Sequence, residues 1–132
     1  MPAAVKPALD AVFRWHPEAR LFGPDGQAVP QQAIFAPVLA DRPGGVALAA
    51  ALAGGGAAFR IGAEASPIDA AFANFETLTG GSLGGPRRVV RSQASWLASF
   101  AVNAALFGIG PGTVVAVPGR LSHSLALYGA LE

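Results

Sequence analysis

The sequence predicts an α/β fold with a partly parallel sheet flanked by helices, and three observations carry that prediction. A glycine-rich loop, residues 79–88, joins two stretches of extended character. An apolar stripe at helical spacing follows it, made by Trp96, Phe100, Ala104 and Phe107. A β-branched run at 113–117 comes next, and then a second helical segment over 122–131. Strand, helix, strand, helix in that order is how crossover connections build parallel pairing.

Taken in order, residues 3–15 place Val5, Leu9, Val12 and Phe13 on one helical face, and Pro17 makes His16 the boundary of that helix. His16 has no matching partner and is expected at the surface. Gly23-Pro24-Asp25-Gly26 is turn chemistry, and the chain to Gln32 reads as loop. Residues 34–39 fit either a short strand or a helical turn interrupted by Pro37. Alanine content makes 46–53 a helix that stops at the glycine triplet, after which 57–61 fits a short buried strand. Residues 74–79 (NFETLT) alternate apolar and polar side chains as a strand does, and 88–91 resume extended character beyond the loop. Ser92 is placed to cap the striped helix and Gly108 to end it, with Trp96, Phe100 and Phe107 expected in the core. Pro111-Gly112 then turns the chain into 113–117, expected as a buried strand.

Composition bounds the class. The chain has 132 residues, 52% hydrophobic and 13% charged, with no cysteine, which suits one domain or part of a larger one and excludes a disordered tail. Bulky core material is thin: 29 alanines and 17 glycines stand against 8 phenylalanines, 2 tryptophans and 1 tyrosine, so loose packing is expected. Uncharged stretches at 43–59 and 92–119 are broken by glycines, prolines and polar residues, so no membrane span is expected. The amino terminus lacks the apolar run of a signal peptide, and a cytoplasmic location is expected. Without cysteine there is neither a disulfide framework nor a thiolate zinc site.

Charge is unevenly distributed. Residues 1–76 hold five bases and seven acids, whereas residues 77–131 hold Arg87, Arg88, Arg91 and Arg120 and no acid at all. An anion is the natural partner of that half, although arginine also outnumbers lysine eight to one along the whole chain. Nucleic acid is not expected, because no aromatic residue interleaves with Arg87, Arg88 and Arg91 to offer a stacking platform.

Three chemistries compete for the loop. A Walker-type phosphate loop has the glycine spacing of Gly80 and Gly85, but Pro86 and Arg87 stand where the lysine and hydroxyl should be. A nucleophile elbow matches Gly80-Gly81-Ser82-Leu83-Gly84 literally, yet no acid follows to complete a triad, and extended Val89-Val90 stands where a helix is needed. Both fail on chemistry. The third is a resemblance: Thr79-Gly80-Gly81-Ser82-Leu83-Gly84-Gly85-Pro86-Arg87-Arg88 is similar to the signature loop of the adenylate-forming (AMP-binding) superfamily, which includes acyl-CoA synthetases. Against the usual Thr-Ser-Gly-Ser/Thr-Thr-Gly-x-Pro-Lys-Gly, the positions Thr79, Gly81, Ser82, Gly84 and Pro86 match. Arg88 to Ser92, Phe107 to Gly112 and Val117 to Leu125 also resemble the family's following segments, so the likeness covers about 72–132.

The resemblance implies that the chain is a single partial domain, 1–132, an incomplete part of the large amino-terminal domain of an adenylate-forming enzyme. It implies ATP with Mg2+ as co-substrate, a small carboxylate as substrate, and coenzyme A as acceptor. Thr79, Gly80, Gly81, Ser82, Gly84, Gly85 and Arg87 would cradle nucleotide phosphate, because glycine lets backbone N–H groups approach closely and Arg87 supplies charge. His123 falls where the family places an acyl-pocket residue. No catalytic residue and no metal ligand is identified. Gly80, Leu83, Arg87 and Arg88 depart from the pattern, and Gln93 stands where many members have histidine. The family's adenine, ribose, magnesium and catalytic-lysine elements lie downstream of such a loop. The isolated chain is therefore expected to be inactive and to self-associate. The alternative is a non-catalytic remnant or interaction module of the same fold.

Overall fold

The computed structural model describes residues 11–42, 45–62, 67–80 and 84–132. Seven elements follow in order: β1 (Val38–Leu39), α1 (Val46–Leu52), β2 (Phe59–Ile61), β3 (Asn74–Thr79), β4 (Arg87–Ser92), α2 (Gln93–Phe107) and α3 (Ser124–Leu131). The four strands form one sheet in the order β1-β2-β3-β4. The first two pairings are parallel and the β3–β4 pairing is antiparallel. This is the expected α/β class with a partly parallel sheet. Among the described residues no helix is long and apolar enough to cross a membrane.

Of the ambiguous segment 34–39 only Val38–Leu39 is strand, with Arg60 N–H donating to the Pro37 carbonyl at 2.8 Å and Gly62 N–H to that of Leu39 at 2.7 Å. The helix α1 is almost all alanine and leucine, and its small side chains let it lie against β1 and β2. Shortage of bulk is made good by aromatic clustering. Phe75 lies 4.6 Å from Trp96 and 5.2 Å from Phe13, centroid to centroid, both edge to face, and Phe59 stacks on Phe75. Burying each such ring contributes about 1.5–3 kcal/mol, and edge-to-face geometry adds to it. Phe100 and Tyr128 close the cluster from α2 and α3.

Three expectations are corrected. Of the helix expected over 3–15, residues 3–10 lie outside the described residues and 11–15 are irregular, with Phe13 nonetheless buried in the core. The striped helix forms, capped as expected, but Phe107 is 74% exposed because the last turn of α2 runs beyond the body it packs on. Residues 113–117 form no strand, and Val114 is 94% exposed. A β-branched composition makes extension easy but supplies no neighbour. As expected, His16 is exposed and the Gly23–Gly26 turn forms, closed by a Phe22–Ala28 bridge.

Candidate functional site

The glycine-rich loop is the connection of a hairpin. Six register pairs run from Asn74 opposite Ser92 to Thr79 opposite Arg87, so both ends of the loop are fixed by the sheet. Thr79 Oγ1 donates to the Arg87 carbonyl at 3.4 Å, across the mouth of the loop. Gly84 and Gly85 hold φ of 101° and 87°, a region that suits glycine, and a Cβ built on either meets nothing within 4 Å. Conformation, not crowding, calls for these glycines, and their backbone stays accessible. Gly80 is equally open. Gly81 and Ser82 lie outside the described residues. Arg87 is exposed.

His123 comes to the same place from 36 positions further on than Arg87 in the chain. Where β2 ends, the segment 121–123 takes over the vacated side of β3: Leu78 N–H donates to the Ser122 carbonyl at 3.0 Å, and Leu78 and His123 form a parallel bridge. Ser124 Oγ, in the first turn of α3, donates to the Leu78 carbonyl at 3.1 Å and lies 3.3 Å from Thr77 Oγ1. His123 precedes α3 directly, its Nδ1 3.2 Å from Ser122 Oγ. The fold therefore brings Thr79, Arg87 and His123 to one end of β3.

Two functional expectations change on contact with the structure. Arg88 turns away from the loop: its Nε stands 3.9 Å from Glu76 Oε2, which Arg60 Nη1 already meets at 2.6 Å. Arg60 and Glu76 are each 2% exposed, and the Asp69 backbone N–H donates to Glu76 Oε1 at 3.2 Å. This buried pair was missed by motif reading. Its signal was available, since Arg60 and Glu76 are opposite charges inside two expected strands. Gln93, at the position of the family's histidine, is buried and structural. Its Oε1 accepts from Phe13 N–H at 2.8 Å, and its Nε2 donates to the Gly56 carbonyl at 3.4 Å.

No group of three or more His, Asp or Glu residues that could hold a metal ion is found among the described residues. Two surface depressions are lined by residues between 19 and 31 together with Val46, and no loop residue lines either. What the site offers chemically is an open backbone turn, one cationic side chain, one threonine hydroxyl and one imidazole. Such a set has the chemistry to accept an oxyanion group and holds no group to transfer.

Over 53 residues the chain is 47% identical to the "Putative long chain fatty acid-CoA ligase VraA" of Staphylococcus aureus strains COL, MRSA252 and MW2, a match covering 40% of this chain. The chain thus spans 11% of the length of the curated relatives it matches. No family model matches the chain. No solved structure matches it. The partial identity supports an acyl-CoA ligase-like origin for this stretch.

Proposed function

We propose that the β3–β4 loop is the nucleotide-phosphate cradle of an ATP-dependent carboxylate-activating ligase, and that this chain forms one part of that enzyme. The complete enzyme joins a carboxylate to AMP, releasing pyrophosphate, and passes the acyl group to coenzyme A. One observation supports this reading above the others: Thr79, Arg87 and His123, singled out by the signature loop and its downstream segment, lie at the same end of β3. The 47% identity to a protein named as a fatty acid-CoA ligase agrees with it.

In this reading the backbone N–H groups of Gly84 and Gly85 and the guanidinium of Arg87 hold phosphate oxygens, and the Thr79 hydroxyl adds a donor by leaving the Arg87 carbonyl. Gly80, Gly81 and Ser82 complete the loop, and His123 stands toward the acyl carboxylate. The residues present do not fit magnesium. The nearest acid in the hairpin, Glu76, is buried against Arg60, and no carboxylate cluster exists among the described residues.

Isothermal titration with pyrophosphate tests the cradle. Weak, salt-dependent binding is expected, reduced several-fold by Arg87→Ala, less by Arg120→Ala, and preserved by Arg87→Lys, which keeps the charge. Equal affinity of wild type and Arg87→Ala sinks the cradle. The isolated chain is expected to show no ATP–pyrophosphate exchange with any carboxylate. A second reading, a non-catalytic interaction module, is favoured by the exposure of Phe107 and Val114, and it takes precedence if Arg87 proves irrelevant to pyrophosphate.

A further inference from the structure

We propose that the outer edge of β4 is a docking edge for an extended acidic segment of a partner protein, which pairs with it as a fifth strand. This inference shares Arg87 with the nucleotide reading but does not rest on that reading. The strand β4 is last in the order β1-β2-β3-β4, its inner side is fully used in six register pairs with β3, and no described residue pairs with its outer side. An edge of this kind presents a row of backbone donors and acceptors to whatever extended chain fits beside it.

The side chains decide what fits. Arg87 and Arg91 are exposed and lie four residues apart, hence on the same face of the strand, about 13 Å from one another. Val89, between them on that face, is half-buried. No described acid forms an ion pair with Arg87 or Arg91, and the stretch 77–131 contains no acid. Arg88 faces the other way, toward Glu76. A second copy of β4 laid antiparallel would set arginine against arginine, which like-charge cross-strand pairing disfavours. Nucleic acid offers no backbone N–H or C=O row to continue the ladder. The complement is a peptide with acids at positions 1 and 5 and an apolar residue at position 3, all on one face.

The test is fluorescence anisotropy of the full 132-residue chain with a labelled peptide whose core is Glu-Thr-Val-Thr-Glu. Its control is Glu-Thr-Val-Glu-Thr, which has the same composition and charge but carries the second acid on the opposite face. Binding of the first peptide is expected to be about 3-fold tighter or better, to be lost in Arg91→Glu, to survive in Arg91→Lys, and to slow amide exchange over residues 87–92. Circular dichroism checks that both variants fold. Arg91 lies outside the proposed phosphate cradle, so Arg91→Glu is expected to retain pyrophosphate binding, which separates failure here from failure there. The proposal is overturned if both peptides bind equally, if Arg91→Lys loses binding, if protection appears away from β4, or if a single-stranded oligonucleotide binds more tightly than the first peptide.

Discussion

Gln93 ties three distant parts of the chain at one point. Its side chain takes the Phe13 N–H and gives to the Gly56 carbonyl, while its own backbone N–H donates to the Ala73 carbonyl at 2.8 Å. Ala73 is held there at φ 64°, unusual for a residue with a Cβ, and its N–H is bound by the Gly56 carbonyl at 2.8 Å. Replacing Gln93 by leucine keeps the bulk but strands the Phe13 N–H in a buried position. A loss of about 1–3 kcal/mol is expected, read as a lower urea midpoint with the slope unchanged. A loss below about 0.5 kcal/mol would show that solvent reaches the junction. None of this was legible from the sequence, where Gln93 was notable only as a departure from a family histidine. The same holds for Glu76. Alternation in NFETLT puts it opposite Phe75 on the polar face, and only the approach of Arg60 from β2 turns that face into a buried one.

Helix α2 shows how far local pattern reaches. Ser92 and Gly108 were readable as its limits because capping is a local event: Ser92 Oγ accepts from Ser95 N–H at 3.2 Å, and Gly108 takes φ 67° with its N–H on the Ala104 carbonyl. Trp96 and Phe100 were readable as core for the same reason, one face of a helix. Phe107 was not, because periodicity gives the direction of a side chain and not the extent of the body it meets. The two neighbouring residues at that helix end therefore respond differently to substitution. Gly108→Ala is expected to cost about 1–2 kcal/mol through left-handed backbone strain alone, since a Cβ there meets nothing within 4 Å. Phe107→Ser, a far larger chemical change, is expected to stay within about 0.5 kcal/mol. Thermal melts of the two variants check the order, and a larger drop for Phe107→Ser would mean that the helix end packs against something in solution.

At the scale of the whole molecule one pairing was legible, because a loop over residues 80–86 is too short for a crossover and forces β3 and β4 to be antiparallel, whereas the parallel pairing expected through 113–117 lies instead among β1, β2 and β3. The pairing of 121–123 with β3 was not, since it depends on β2 ending early enough to leave room. Nor was the solitude of 113–117. There Val114 and Val115 face solvent while Val117 reaches back toward Gly129 of α3, so the run is held at one end and open along its length. Unlike β4, it carries no charge to repel a copy of itself, and the uncharged stretch from Ser92 to Gly119 also contains the exposed Val102, Leu106 and Phe107. Backbone outside the sheet beside uncovered apolar side chains is the condition under which chains associate. Sedimentation velocity is expected to show association that grows with protein concentration and persists at high salt, since burial of apolar surface is not screened. Val114→Lys with Phe107→Lys is expected to shift the boundary toward monomer, whereas Arg91→Glu leaves it where it was. A monomeric wild type with a sharp cooperative melt would mean that the run is covered by this chain itself, and association that falls with salt would move its origin to the arginines of β4.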